Sequence, residues 1–100
     1  WLAALPTKGR IVLDAGAVRV LTLEGRSLLP VGVKEVKGTF TRGEMVSCLD
    51  ESGTEVARGL INYSNVESLL IAGHPTSRTA AILGFTGDEE MIHRDNLVVL

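Results

Sequence analysis

The thiol and imidazole side chains, which serve as nucleophiles, general bases and transition-metal ligands, number three in this 100-residue sequence: Cys48, His74 and His93. Cys48 stands among apolar residues in a pattern typical of a strand, which predicts a small buried thiol rather than a nucleophile. The two histidines are far apart in the sequence, and neither has a second ligand at the short spacing with which zinc sites usually begin. The sequence therefore predicts no catalytic residue and no metal ligand here.

The carboxylates are densest at Asp88-Glu89-Glu90, where their oxygens could hold a divalent cation. Further ligands do not follow at the spacing of a calcium-binding loop, so a solvated acidic turn is the favoured interpretation. The sequence also lacks a phosphate-binding glycine loop, a dinucleotide fingerprint and a Gly-x-Ser-x-Gly motif. Because no nucleophile, base and oxyanion donor can be assembled, we expect these 100 residues to be non-catalytic and to bind no cofactor.

Charge is distributed unevenly along the chain. Ten Lys and Arg against twelve Asp and Glu give a net charge of −2, which argues against a polybasic nucleic-acid binder. Residues 8–42 nevertheless contain seven basic and three acidic residues, a local net charge of +4. A basic helix followed by a glycine turn can approach phosphates closely, although an ordinary solvated surface is the simpler interpretation of such a charge run.

The composition is that of one small globular domain, with 45% apolar and 22% charged residues. The apolar runs are far too short for a membrane-spanning helix, so no membrane partner is expected. A single cysteine excludes an internal disulfide and favours a reducing compartment, the cytoplasm. Aromatic residues make up only 4% of the chain, so a structured RNA bound by shape is a better partner than stacked single strands.

The first half of the chain must position most of the basic residues. Arg10–Leu13 is a short β-rich run, and Asp14 after it is a good N-cap for a helix. This helix should end at Gly25, a residue suited to the left-handed conformation that follows a helix. A Pro and a Gly inside Ser27–Val33 predict an irregular turn or edge, and Lys34–Phe40 alternates like a strand with one wet face. The apolar stripe of the helix consists of Ala17, Val18, Val20 and Leu21.

The second half begins with a predicted hairpin. Glu44–Leu49 and Glu55–Leu60 are strand candidates joined by a turn at Asp50–Gly53. Ser64 and Glu67 then have the spacing of a capping box, in which each side chain caps a free backbone N–H at the start of a helix. We expect the apolar stripe of this helix to be buried. The stripe consists of Val66, Leu69 and Leu70.

The remaining apolar runs are short. Ala80–Phe85 and Met91–His93 predict two strands around the acidic turn, and Leu97–Leu100 predicts a last strand. Phe40 and Phe85 are expected in the core. About six or seven strands and two short helices, mostly joined by turns, indicate a mainly β fold with a mixed or mainly antiparallel sheet curled into a small barrel.

Four segments taken together are similar to a known domain family. In chain order they are Asp14–Ala17, Gly25–Val33, Gly38–Glu44 and Ala57–Tyr63. They resemble the PUA domain, which is named after pseudouridine synthases and archaeosine transglycosylases. The resemblance implies a pseudo-barrel of mixed strands flanked by two short helices over residues 10–100, with residues 1–9 as the remnant of a linker.

Three later segments narrow this resemblance. Ile71–His74, Ala81–Gly84 and Ile92–Val98 are similar to the PUA domain at the C-terminus of bacterial glutamate 5-kinases. That implies a longer cytoplasmic enzyme of proline biosynthesis, which phosphorylates glutamate using ATP and magnesium bound by a separate kinase domain. The kinase domain would be a partner of this one, and the whole enzyme could form a homo-oligomer. The alternative is the PUA domain of an RNA-modifying enzyme, such as a pseudouridine synthase or a tRNA transglycosylase.

The resemblance also implies a candidate RNA-binding surface. In RNA-modifying members of the PUA family, the first helix, the glycine turn after it and the adjoining strand contact RNA. A structural or regulatory role toward the kinase domain is the competing hypothesis, because the chain is acidic and poor in aromatic residues. The candidate residues on this surface are Arg19, Gly25, Arg26, Ser27, Leu28, Leu29, Pro30, Gly32 and Lys34, with Arg94 near the last strand.

Overall fold

The computed structural model of the chain describes residues 6–100, so residues 1–5 of the predicted linker remnant lie outside the described residues. Gly9, the last residue assigned to that linker, is the first residue of a strand. The described residues form five strands, three α-helices and two single-turn 3₁₀ helices. The strands are β1 (Gly9–Leu13), β2 (Val33–Gly38), β3 (Met45–Leu49), β4 (Glu55–Leu60) and β5 (Leu97–Val99). The helices are α1 (Ala15–Glu24), α2 (Asn65–Ile71) and α3 (Thr76–Leu83), with 3₁₀ turns at Pro30–Gly32 and Arg94–Asn96.

The strands form one mixed sheet in the order β2-β1-β3-β4-β5. β1 pairs in parallel with β3 and antiparallel with β2, and the other neighbours are antiparallel. This arrangement confirms the mainly β fold with a mixed sheet, although it has fewer strands and one more helix than the sequence indicated.

One face of the sheet packs against α1 to form the core. Ile11 and Leu13 of β1 and Cys48 of β3 are fully buried, and Leu21 of α1 belongs to the same cluster. Buried and exposed positions alternate along β1, as expected of a strand with one face turned inward. Burial of this face holds α1 against the sheet and fixes the helix beside the segment that precedes β2.

Two helices begin where local signals predict them. The Asp14 carboxylate accepts a hydrogen bond from the Ala17 N–H at 2.7 Å, which confirms the N-cap of α1. At α2, the Ser64 hydroxyl accepts from the Glu67 N–H at 3.2 Å, and the Glu67 carboxylate accepts from the Ser64 N–H at 3.0 Å. The capping box is therefore confirmed.

The predicted inner face of α2 is wrong. The stripe of Val66, Leu69 and Leu70 is 52–62% exposed, whereas Ser68 and Ile71 are buried. This seven-residue helix has apolar residues on two sides, and its packing against β2 and α3 selects the side of Ile71. The Ser68 hydroxyl is accommodated there because it donates a 3.5 Å hydrogen bond to Met91 Sδ.

The predicted strand at residues 80–85 is also wrong, because these residues lie in α3 and just beyond it. Thr79 is buried, and Ile82 and Leu83 pack at the helical spacings i+3 and i+4 from it. The stripe starts with a polar residue, so only its apolar second half stands out in the sequence. Gly84 ends the helix in the left-handed conformation, and Phe85 after it is about half exposed rather than in the core.

The last part of the chain agrees with the sequence in one of two predictions. The predicted strand Met91–His93 is reduced to a single bridge between Ile92 and Leu28. The final strand is confirmed as β5, which pairs antiparallel with β4. Leu28 belongs to the candidate RNA-binding surface, so this bridge connects that surface to Ile92.

Candidate functional site

A cleft of about 320 Å³ lies between α1 and the irregular segment that precedes β2. Asp14, Gly16, Ala17 and Val20 line it on the side of α1, and residues 27–29, 31 and 32 line it on the other side. Its walls are mainly apolar. The cleft therefore contains four of the residues expected on the candidate surface, Ser27, Leu28, Leu29 and Gly32.

Close packing at Gly32 sets the distance between the two walls. A Cβ atom at this position would lie 2.5 Å from the Cβ of Ala17, so only glycine permits this approach. The Asp14 N–H donates to the Gly32 carbonyl at 3.0 Å, while the Asp14 carboxylate caps α1. The start of α1 and Gly32 are thus joined through a single residue.

The second wall is anchored to a distant part of the chain. α1 ends at Gly25, whose φ of 63° turns the backbone toward the cleft. Leu28 is buried, and its N–H donates to the carbonyl of Ile92 at 2.9 Å. The Ser27 hydroxyl accepts from the Arg94 N–H at 2.9 Å. These bonds bring Arg94 beside the segment, as the candidate surface requires.

Two apolar side chains of this segment remain exposed. Leu29 and Val31 are 42% and 50% exposed, whereas Pro30 and Gly32 between and after them are buried. The Pro30 carbonyl accepts from the Gly73 N–H at 2.9 Å, which fixes the backbone that presents Leu29 and Val31. Neighbouring apolar side chains exposed on a fixed backbone are typical of a binding surface.

Two of the candidate cations are engaged in surface ion pairs. Arg26 Nε lies 3.3 Å from a carboxylate oxygen of Glu24. Lys34 Nζ donates to Glu51 at 2.9 Å, and this hydrogen bond together with the charge of Glu51 raises the pKa of Lys34. Glu51 lies in the β3–β4 turn, so the structure brings Lys34 to that turn and not into the cleft.

The other two candidate cations are at the rim. Arg19 lies on an exposed part of α1, about 100° around the helix axis from its cleft-lining neighbour Val20. Arg94 is exposed in its 3₁₀ turn beside Ser27. Within residues 6–100, neither arginine side chain forms an ion pair.

The family model of the PUA domain matches residues 9–83, which include β1, α1, both walls of the cleft and the β3–β4 hairpin. The chain belongs to the PUA domain family. The resemblance drawn from the sequence segments is therefore confirmed.

Relatives of this PUA domain among curated proteins include glutamate 5-kinases. That of Hahella chejuensis is 61% identical over 101 residues, which cover 100% of this chain and 26% of the relative. That of Ralstonia pickettii is 57% identical over 96 residues, which cover 96% of this chain and 26% of the relative. The chain thus spans about a quarter of the length of these relatives and corresponds to their C-terminal part.

Solved structures share the fold. A PUA domain from Aeropyrum pernix K1, determined as a tartrate complex, aligns with a TM-score of 0.63 and 25% identity over 86% of this chain and 41% of that one. A chain of an archaeal box H/ACA sRNP complex aligns with a TM-score of 0.59 and 19% identity over 87% of this chain and 25% of that one. The second likeness is one of fold alone.

Sequence reasoning missed the α1 side of the cleft in this PUA domain. Ala17 and Val20 belong to the apolar stripe that predicted the helix, and only Leu21 of α1 is fully buried. The helical spacing of this stripe was the available signal. When an apolar stripe is too wide to be buried completely against the sheet, its remaining residues face a cleft or a partner. Gly16 next to Ala17 gave no signal beyond its small size.

Cys48 and the acidic turn, considered above for catalysis and cation binding, are held by burial and by contacts within the fold. Cys48 is fully buried, and burial, followed by the charge of Glu55, raises the pKa of its thiol to about 12. In the acidic turn, Asp88 pairs with Arg42 at 2.8 Å and its carbonyl accepts from the Tyr63 hydroxyl. Among residues 6–100, no three His, Cys, Asp or Glu side chains gather closely enough to hold a metal ion. The described part of the chain also contains no helix long and apolar enough to cross a membrane.

Proposed function

We propose that this PUA domain binds structured RNA at the cleft beside α1. The observation that carries the proposal is the cleft itself, in which apolar walls, exposed Leu29 and Val31 and a rim of arginines occur together. A base or ribose from an RNA loop would lie against the apolar walls, and Arg19 and Arg94 would contact phosphates. The hydroxyl of Ser27 would add a polar contact.

The RNA partner is also supported by the proteins in which this fold occurs. Two of the solved structures are H/ACA ribonucleoprotein complexes, one of them bound to a substrate RNA. The net charge of this chain is −2, and two of its candidate cations are engaged in ion pairs. We therefore expect modest affinity that depends on few phosphate contacts.

The longer protein would be a glutamate 5-kinase, the same assignment that the later segments of the sequence indicate. An identity of 61% over the whole chain favours this origin over an RNA-modifying enzyme. The kinase domain would bind ATP and magnesium and phosphorylate glutamate in the cytoplasm. The PUA domain would follow it, and the residues before β1, which begins at Gly9, would be the end of the linker.

Fluorescence anisotropy of a labelled RNA hairpin, titrated with the chain at low and at physiological salt, tests the RNA proposal. We expect saturable binding whose log affinity falls with log salt by about 0.7 to 0.9 per phosphate contacted. Arg19→Glu and Arg94→Glu should each weaken binding about 10-fold or more, because each variant places a like charge beside the RNA backbone.

The matched control is Arg78→Glu, which makes the same change of charge on the exposed side of α3, outside the cleft lining. It should leave the affinity within about 2-fold of the unmodified chain. Absence of binding at low salt, where screening is weakest, would contradict RNA binding altogether. Equal losses in Arg19→Glu and Arg78→Glu would contradict the cleft as the binding site.

A structural role in the longer protein is the second candidate, and the exposed stripe on α2 favours it. Val66, Leu69 and Leu70 form three neighbouring apolar side chains on the surface, a pattern typical of an interface. They would pack against the kinase domain. Leu69→Ser with Leu70→Ser in the full-length protein should then lower the unfolding temperature of the kinase domain, whereas Leu23→Ser on exposed α1 should not. An unchanged unfolding temperature would contradict this role.

A further inference from the structure

A second cleft lies at the other end of the β1–β2 ladder, where β1 begins and β2 ends. Its volume is about 350 Å³, and it is lined by Thr7, Lys8, Gly9, Arg10, Lys37 and Gly38. Three of these six described residues are cations and none is a carboxylate. β1 separates this cleft from the one beside α1 by about 13 Å, since each strand residue advances the chain about 3.3 Å.

The register of the ladder forces two of the cations together. Arg10 of β1 lies directly opposite Lys37 of β2. Residues directly opposite in an antiparallel pair point to the same face, with Cβ atoms about 4.5 to 5.5 Å apart. Like charges in this position repel and destabilise the sheet, so an anion between them would relieve an unfavourable contact.

The acidic groups near these cations are at the margin of the cleft. Within residues 6–100, no side-chain hydrogen bond or ion pair engages Lys8, Arg10 or Lys37. The charge of Lys8 interacts with the carboxylate of Glu44. That carboxylate, however, accepts hydrogen bonds from the Thr41 N–H at 2.8 Å and the Thr41 hydroxyl at 3.1 Å.

The floor of the cleft is made of glycine backbone. Gly9 lies opposite Gly38 in the ladder, and a Cβ on Gly9 would lie 2.4 Å from the ring of Phe40. A Cβ on Gly38 would lie 2.9 Å from the Cα of Gly9, and its φ of +91° disfavours any other residue. The space that either Cβ would need is filled by the Phe40 ring or by neighbouring backbone, so the two glycines set the close spacing of β1 and β2 beneath the three cations. Glu35, two residues before Lys37, is the nearest carboxylate along β2.

We propose that this cleft binds a phosphate group, carried either by a small phosphate compound or by a nucleic-acid backbone. Three convergent cations suit an anion with more than one negative charge. Arginine binds phosphate through two parallel N–H···O bonds, and lysine adds a point charge. The proposal concerns residues outside the cleft beside α1 and does not depend on RNA binding there.

Amide NMR spectra of the isotope-labelled chain, titrated with pyrophosphate at constant ionic strength, test the proposal. We expect saturable shifts at the amides of Gly9 and Gly38 below about 10 mM ligand. Arg10→Gln should weaken binding about 10-fold, because it removes the bidentate donor. Arg78→Gln removes the same charge from α3 and should change the affinity by less than about 2-fold.

Two further titrations identify the source of the phosphate. If the RNA hairpin shifts the Gly9 and Gly38 amides at lower concentration than pyrophosphate, the backbone is the ligand. If pyrophosphate shifts them and the hairpin does not, a small phosphate compound is the ligand. Either result supports the phosphate site.

The site would be refuted by the absence of saturable shifts with both ligands, or by equal weakening in Arg10→Gln and Arg78→Gln. A native-like amide spectrum of Arg10→Gln excludes misfolding as the cause of lost binding. Arg19→Glu, which tests the cleft beside α1, should leave the pyrophosphate shifts unchanged. The two proposals therefore fail separately.

Discussion

The two ends of the β1–β2 ladder both depend on close packing at glycine, but the clefts at these ends differ in charge. At the end beside α1, Gly32 lets the segment before β2 approach Ala17 of the helix closely. At the other end, which we call the basic end, Gly9 and Gly38 let the two strands approach each other closely. One cleft is apolar with arginines at its rim, whereas the other has three cations and a polar floor. Of the seven basic residues in 8–42, Lys8, Arg10 and Lys37 line the second cleft and Arg19 lies at the rim of the α1 cleft. The other three form ion pairs with carboxylates, so most of the unpaired charge lies away from the α1 cleft.

The largest expected effect is at the basic end, in Gly38→Ala. The new Cβ would meet the backbone of Gly9 and Lys8 at 2.9 Å and impose a φ of +91° on a non-glycine residue. We expect a loss of about 2 to 4 kcal/mol in the free energy of unfolding, measured with urea. Gly53→Ala is the matched control, since Gly53 has a φ of +90° and nothing within 4 Å.

Gly53→Ala should lose only about 1 to 2 kcal/mol, the cost of the left-handed conformation. The difference between the two variants then measures the close approach of β1 and β2. Equal losses would mean that β1 and β2 separate enough to accommodate the new Cβ at no cost in stability. Close packing at glycine would then not be shared by the two ends.

At the α1 end, Gly32→Ala should lose about 1 to 3 kcal/mol, because the new Cβ would overlap that of Ala17. Gly16→Ala adds the same methyl group to the other wall of the same cleft, where the nearest atom is an Asp14 oxygen at 3.4 Å. That variant should gain up to about 1 kcal/mol, since alanine favours the helix. Losses in both urea titrations would show that the cleft has no open wall.

A smaller effect is expected from the cap that holds the α1 cleft and has no counterpart at the basic end. Asp14→Ala removes the acceptor of the Ala17 N–H and should cost about 1 kcal/mol in a thermal melt. Asp14→Asn keeps an oxygen acceptor in place and should cost much less. If the two variants unfold at the same temperature, the cap does not stabilise this end.

The smallest effect distinguishes the two ends by its sign. Arg10→Gln should raise the free energy of unfolding by about 0.2 to 1 kcal/mol, because it removes the repulsion with Lys37. Lys34→Gln should lower it slightly, because it breaks the ion pair with Glu51. Both changes should shrink at about 1 M salt, where the screening length is about 3 Å. A loss of stability in both variants would contradict the difference in charge between the two ends.

Sequence reasoning succeeded where a signal is complete within a few residues. The cap at Asp14, the left-handed Gly25 and the capping box of Ser64 and Glu67 depend on local backbone donors and angles, and all three are found in the structure. The β3–β4 hairpin, whose turn is equally local, is also confirmed.

The same reasoning failed where packing between distant segments decides. Whether α2 buries Leu69 or Ile71 depends on its position against β2 and α3, which no short pattern contains. The meeting of Lys37 with Arg10, and of Lys34 with Glu51, depends on strand register and on a turn far along the chain. The charge count of residues 8–42 was correct, but only the fold shows which of these cations are paired and which line a cleft.

The bond between Ser27 and Arg94 joins residues 67 positions apart, and this has a consequence for how the chain acquires its structure. One wall of the cleft remains without its anchor until Ile92 and Arg94 have been synthesised. At a synthesis rate of about 5 to 20 residues per second, β4 is made several seconds before β5, the strand that pairs with its edge. The cleft beside α1 is therefore among the last parts of the fold to form, and the edge of β4 stays unpaired until β5 is available.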